Sequence, residues 1–154
     1  MRLHKIIFIL FISFALIYPF SVRAQVPPSR EIQRAEAMEE ARQFIHEYTI
    51  RFMKLELDPF MELFSKNAVE NRMLPYADIR EAYRKTIEGS RSIKYNLDID
   101  SIQMYARSVL VMGRYKIIQA FKRGRKTVFS GDIQWSLIRD DGSLKIKEVN
   151  YGRR

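Results

Sequence analysis

The 154-residue chain has no cysteine. That absence excludes disulfide scaffolds, cysteine zinc sites, thiol catalysis and a lipidated N-terminal cysteine. Histidine is scarce: His4 and His46 are the only two. With six glycines and five prolines, no glycine-rich phosphate loop, nucleophile elbow, catalytic serine motif or internal repeat can be picked out. Acidic residues number 18 against 27 basic ones. What is plentiful is apolar: 47% of the chain is hydrophobic, enough for one domain with a real core and too much for a disordered chain.

The one long apolar run opens the chain. Arg2 and Lys5 precede a stretch of 15 mostly apolar residues, Ile6 to Phe20, followed by Ser21-Val22-Arg23-Ala24. The run is shorter than the roughly 20 residues a helix needs to cross hydrocarbon, and Val22 and Ala24 suit the −3 and −1 positions of a signal peptidase site. Residues 1–24 therefore read as a signal peptide cleaved after Ala24. An uncleaved anchor is the alternative, because Arg23 is an unusual neighbour for the scissile bond. Either way the folded part is expected to be exported, to a periplasm or outside the cell, with no transmembrane span left after cleavage. A cysteine-free chain is indifferent to such an oxidising compartment. Removing this segment takes away three basic residues and no acidic one, and lowers the formal net charge from +9 to +6.

Gln25 to Ser29, with Pro27-Pro28, reads as an extended leader, so residues 25–35 hold the leader and the start of the first helix. Ser29 can cap a helix running to about Leu57, with Ile32, Ala35, Met38, Ala41, Ile45, Tyr48, Phe52 and Leu55 on one face. Asp58-Pro59 starts a second, short helix through Phe60, Met61 and Phe64. Residues 67–76 read as irregular or a short strand pair, and Asp78 to Glu88 as a third helix stopped by Gly89. After Gly89 the period changes from 3.6 to 2. Four antiparallel strands are expected at about 94–105, 108–121, 127–139 and 144–151, with turns at Ala106-Arg107, Arg123-Gly124-Arg125 and Asp141-Gly142.

Turns centred at 107, 124 and between 141 and 142 put Leu97, Ile99, Val111, Tyr115, Ile117, Phe121, Phe129, Ile133, Trp135, Leu137, Leu144 and Ile146 on one face. The same register sets Asp98 beside Lys116 beside Asp132, and Asp100 beside Arg114 beside Gln134, on the other. Cross-strand opposite charges are what a correct antiparallel pairing should show, and a one-residue slip would send them into the core.

Three helices followed by a long meander that ends in Trp135-Ser136-Leu137-Ile138-Arg139-Asp140-Asp141-Gly142-Ser143-Leu144-Lys145-Ile146 resemble the nuclear transport factor 2-like (SnoaL-like) superfamily, over about Glu36 to Tyr151. The aromatic-x-Leu strand, Asp-Gly turn and Leu-x-Ile strand carry the resemblance most specifically. It implies an α+β, cone-shaped fold over residues 36–154, in which three N-terminal helices pack on a curved, mainly antiparallel four-stranded sheet. It also implies a pocket at the open end and, in many members, dimers through the sheet. It fixes no ligand, because the superfamily holds isomerases, dehydratases, binding domains and secretion-system subunits.

In that register Ser101, Gly113, Trp135 and Glu148 form a core-facing row, with Tyr115 and Asn150 one row away, and these six residues are the candidate ligand surface. Gly113 either bends the sheet or opens the pocket floor. Glu148 beside an indole could act as a general acid or base, or could be a rim residue turned outward by a bulge. His46 lies next to the apolar stripe of the first helix and is a candidate base without a fixed partner. Catalytic superfamily members generally set an Asp, or His with Asp and Tyr, inside the cone. Here Asp98, Asp100 and Asp132 fall outside by parity, which argues against catalysis. No metal site or cofactor is expected.

On the outer face Ile102, Met104, Leu110, Met112 and Ile138 gather at one end as an expected dimer or partner contact. Lys122-Arg123-Gly124-Arg125-Lys126 is a basic tip and Arg153-Arg154 a basic tail; export argues against nucleic acid and leaves a solvated turn or an anionic envelope surface. The leading expectation is an exported, non-enzymatic, homodimeric domain whose pocket takes a small apolar or amphipathic ligand or a protein partner. The rivals are an acid–base enzyme of isomerase or dehydratase type using Glu148, Tyr115 and His46, and a cell-envelope assembly subunit.

Overall fold

The computed structural model describes residues 29–153. The expected signal peptide, most of the leader and Arg154 lie outside the described residues. The element order is α1 (Arg30–Lys54), α2 (Leu57–Met61), β1 (Phe64–Glu70), β2 (Leu74–Pro75), α3 (Tyr76–Gly89), β3 (Ser90–Met104), β4 (Ser108–Phe121), β5 (Lys126–Asp140) and β6 (Ser143–Arg153). The architecture is α+β as expected, but the sheet has six strands rather than four, in the order β2-β1-β6-β5-β4-β3. The additional pair is β1 and β2, with β1 parallel to β6.

Ser29 caps α1, its hydroxyl accepting from the Ile32 amide at 3.4 Å. The helix ends one turn earlier than expected, where Leu55 takes a left-handed conformation at φ 62° and its amide bonds the Phe52 carbonyl. Burial along α1 begins only at Ala41 and continues through Phe44, Ile45, Tyr48 and Phe52. The expected stripe is corrected at its start: Ile32 and Ala35 are exposed, because the first two turns project beyond the sheet. Tyr48 is the hub of the core, its ring centroid 4.7 Å from Trp135 and 5.0 Å from Phe60.

The inner face of the sheet matches the expected core face at Val111, Tyr115, Ile133, Trp135, Leu137, Leu144 and Ile146, all buried. Phe129 keeps that face, opposite Ile117, but is exposed at the open end of the sheet. The pairing itself differs. The turn between β4 and β5 centres one residue earlier than expected, so Arg114 faces Asp132 and Gly113 faces Ile133. Asp98 likewise faces Arg114, not Lys116. Side chains alternate with period two, so a slip of two positions changes partners and leaves faces intact. Asp98, Asp100 and Asp132 are accordingly exposed on the outer face, with Arg114 bridging to Asp98 and, at 3.2 Å, to Asp100.

Two bulges do change faces. In β3 the register shifts between Ile99 and Ser101, so that Ser101 faces Met112 on the outer side while Ile102 faces Val111 and Met104 faces Val109. Ile102 and Met104 thus pack on the core and leave the expected outer patch, which keeps Leu110, Met112 and Ile138. In β6 the extra residue Lys147 puts Glu148 opposite Ser136 and Asn150 opposite Gln134, both outward, and turns Tyr151 inward opposite Ile133.

Glycine at position 131 is required by crowding. A Cβ there would sit 1.8 Å from the Gly152 carbonyl oxygen and 3.1 Å from the Tyr115 ring. Gly131→Ala should therefore lower stability by about 2 kcal/mol or more, within the range of overpacking effects, read as the urea midpoint. Gly89→Ala meets open space and serves as the control, with a midpoint at or above that of the wild type.

Candidate functional site

A cavity of about 320 Å³ opens where the helices part from the sheet. Tyr48 and Phe52 of α1 and Ala82, Tyr83 and Thr86 of α3 form one side. Tyr95, Tyr115, Ile117, Gln119, Phe129 and Tyr151 of the sheet form the other, and Glu70 and Asn71 at the end of β1 close the rim. A larger furrow of about 700 Å³ runs along the solvent side of α1 past His46. It is bounded by charged side chains that pair with each other, Arg42 with Glu39 at 3.7 Å and Arg51 with Glu47 at 2.6 Å, so the smaller, aromatic cavity is the better candidate.

At its inner end three tyrosine hydroxyls close a triangle. Tyr151 stands 2.8 Å from Tyr48 and 2.7 Å from Tyr83, and Tyr48 is 3.3 Å from Tyr83. Three O–H protons serve three oxygen–oxygen contacts, so in a cyclic arrangement each hydroxyl donates once and accepts once. Burial pushes the Tyr48 hydroxyl up to about 12, against the opposing pull of its bonds to Tyr151 and Tyr83. It also drives Tyr83, Tyr95 and Tyr151 well above the ordinary phenol range. The tyrosines are therefore neutral hydrogen-bonding groups and not bases. Among the described residues the buried Tyr95 hydroxyl has no hydrogen-bond partner.

Glu70 owes its place to the turn after β1. Asn71 and Arg72 both take positive φ, 49° and 62°, a conformation Asn tolerates better than Arg. The Asn71 amide donates to the Val149 carbonyl at 2.8 Å, its side-chain oxygen accepts from the Tyr151 amide at 2.8 Å, and the Met73 amide returns to the Glu70 carbonyl at 3.1 Å. Asn71 thus pins the end of β1 to β6, which sets both the half-buried Glu70 and the inward Tyr151. Burial alone pushes the Glu70 carboxyl above its ordinary value, and its charge in turn raises Tyr48 and Tyr83.

The expected site residues do not converge. Tyr115 lines the cavity, its ring at 84° to Tyr151 with centroids 5.5 Å apart. Trp135 is fully buried beneath it as core. Gly113 faces inward, but a Cβ there would meet the Asp98 carbonyl oxygen at 2.5 Å, so it answers to the close approach of β3. Ser101, Glu148 and Asn150 leave the interior at the two bulges. Glu148 accepts from the Asn150 amide at 2.9 Å and lies 3.9 Å from Arg72. His46 is exposed on the far side of α1. The catalytic trio of Glu148, Tyr115 and His46 is therefore dispersed. Lys122 to Lys126 form an exposed tip, with Arg125 stacked 5.0 Å over the Phe121 ring. Among the described residues no group of three or more His, Asp or Glu is placed to hold a metal.

No protein-family model matches the chain, and no curated protein matches it. Solved structures do. A protein of Novosphingobium aromaticivorans, provisionally named a scytalone dehydratase, is 12% identical, with a TM-score of 0.73 over 80% of this chain and 88% of its own. A nuclear transport factor 2-like superfamily protein of Salmonella enterica serovar Typhimurium is 16% identical, with a TM-score of 0.69 over 78% and 92%. A Streptomyces avermitilis protein, provisionally named a dehydratase of that family, is 8% identical, with a TM-score of 0.70 over 78% and 97%. At these identities the likeness is one of fold: the chain has the nuclear transport factor 2-like fold.

A carboxyl held neutral more readily in the fold than in the unfolded chain favours folding fully below its unfolded value, and that contribution is lost as pH rises through the raised value. Glu70→Gln should therefore raise Tm relative to the wild type at neutral pH. The difference should vanish once the pH drops below the ordinary carboxyl range, as followed by thermal unfolding across pH. An unchanged or lowered Tm at pH 7 would contradict burial of an uncompensated carboxylate.

Proposed function

We propose that this is an exported binding domain whose cone holds one small amphipathic molecule with a flat, apolar body. The supporting observation is the cavity itself: its wall is mostly aromatic, with a few polar groups, the tyrosine hydroxyl triangle at the inner end and Glu70 and Asn71 at the rim, the pattern of a small-molecule site. Its volume suits a ligand of one or two rings. Export rests on the signal-peptide pattern of residues 1–24.

Ala82 is exposed at the rim and can be enlarged without touching the core. The uncharged dye N-phenyl-1-naphthylamine should brighten on wild-type protein, and Ala82→Trp should abolish the response. Equal response from both proteins, or from neither, would reject the cavity as the site.

Acid–base catalysis is the second reading, favoured by the half-buried Glu70 facing neutral tyrosine hydroxyls. It assigns the proton-transfer role to Glu70 in place of Glu148 and His46. Any turnover should then be lost in Glu70→Gln while dye binding persists.

The proposal extends to a homodimer in which a second copy covers the outer sheet face. All three helices pack on the inner face, which leaves Leu110, Met112 and Ile138 without a helix over them. Met112→Asp should halve the native mass measured by light scattering; a wild-type protein that is already monomeric, or a variant with unchanged mass, would exclude this interface.

A further inference from the structure

We propose that the molecule the cone accepts is an organic cation, an amine or quaternary ammonium carried on an aromatic or alicyclic body. This rests on the cavity being a binding site and names the chemistry of its ligand. Its basis is a contrast within the chain. The protein carries 27 basic residues and a formal charge of +9, yet the described residues that line this cavity include no Lys, Arg or His and one carboxylate, Glu70. A basic protein that admitted an anion would be expected to show it a cation; here the one formally charged side chain among the described lining residues is a carboxylate.

Three independent features add to that sign. The first is the rings. Five tyrosines and two phenylalanines line the space, and the face of an aromatic ring attracts a cation while repelling an anion. Tyr115 and Tyr151 meet nearly at right angles, 84°, which makes a corner of the kind that surrounds a rounded ammonium group on more than one side.

The second is the balance of donors and acceptors. The hydroxyl triangle uses its protons internally and leaves lone pairs. Thr86 donates its hydroxyl to the Ala82 carbonyl at 3.0 Å, and Gln119 donates its amide to the Ser90 hydroxyl at 2.8 Å. What faces the cavity is then a set of lone pairs and the Glu70 carboxylate, which suit a ligand rich in N–H donors or bearing positive charge, together with a free donor, the Tyr95 hydroxyl, unpartnered among the described residues.

The third is the helix that borders the site. Ala82, Tyr83 and Thr86 come from the last two turns of α3. The carbonyl end of that helix is beside the cavity, and it carries partial negative charge. Burial without any opposing cation raises the Glu70 carboxyl; a bound ammonium would supply the missing partner.

The test compares benzyltrimethylammonium with neopentylbenzene, which has the same shape and no charge, by NMR titration of the full exported protein. The cation should bind at least about tenfold tighter than its neutral isostere, a difference in binding free energy of about 1.4 kcal/mol. Glu70→Gln, which should fold at least as well as wild type, should erase most of that preference, read as the ratio of the two dissociation constants in the same variant. Tyr115→Leu should weaken the cation more than the isostere. Neutral binding equal to or tighter than cation binding would overturn the cationic ligand and leave the pocket standing. Failure of both probes, together with failure of the naphthylamine dye, would overturn the pocket as well. A preference that survives Glu70→Gln and Tyr115→Leu together would show that the charge is read elsewhere, and would also overturn the assignment.

Discussion

Three phenol oxygens within hydrogen-bond distance of one another tie the fold to its cavity. They come from α1, α3 and β6, so the triangle of Tyr48, Tyr83 and Tyr151 joins elements 35 to 103 residues apart in the chain. A buried hydroxyl without a partner costs about 1–3 kcal/mol, and none of the three could be satisfied by its own element. Each therefore satisfies the other two, and the triangle ties both helices to the sheet at the inner end of the cavity. Below the triangle the rings of Tyr48, Phe60, Phe64 and Trp135 pack as core; above it the cone stays open.

The legibility of this arrangement in the sequence divides along a physical line. Alternation with period two is insensitive to a slip of two residues, so Trp135, Leu137 and Ile146 are legible as core, and Asp98 and Asp132 as surface, even though the partner of both aspartates is Arg114 and not Lys116. A bulge inserts one residue, and one residue inverts everything after it. The extra residues Asp100 and Lys147 carry no local mark that separates them from their neighbours. Glu148, Asn150, Ile102 and Met104 consequently change sides, and Tyr151 arrives in the cavity unforeseen. Glu70 is hidden for a different reason. Its strand pairs in parallel with β6, almost eighty residues later (Glu70 with Val149), and no short-range pattern encodes a partner at that distance. The one local hint is Asn71, a residue type that accepts left-handed backbone and commonly marks a turn.

The cavity is also where the chain departs from what stability alone would select. Arg72 holds a positive φ that a glycine or asparagine would adopt more easily. Glu70 is half-buried with its charge uncompensated, and Tyr95 keeps an unpaired hydroxyl among the described residues. Each is a local conflict with the otherwise consistent packing around it, and all three lie at or next to the open end of the cone. Such conflicts are not confined to the cavity: the buried Ser101 hydroxyl and Trp135 indole N–H also lack partners among the described residues, and Leu55 and Asp141 also hold positive φ.

The net charge of the protein works against a cationic ligand at long range and not at short range. Exposed charges such as those of the Lys122–Lys126 tip are screened over roughly 8 Å at physiological ionic strength, so they slow the approach of a cation more than they weaken its complex. Inside the cone, between buried ring faces, the dielectric is lower than in bulk solvent and the nearby groups dominate: one carboxylate, a set of ring faces and the carbonyl end of α3. The sign of the whole surface and the sign of its cavity are thus set by different residues and act over different distances. A chain rich in lysine and arginine can keep a single negative recess, provided that none of those side chains reaches it. The elements that frame the recess turn basic side chains elsewhere: Arg42, Arg51 and Lys54 to the solvent side of α1, Arg80, Arg84 and Lys85 of α3 into ion pairs with Asp58, Glu81 and Glu88, and Arg114 to the outer face of the sheet.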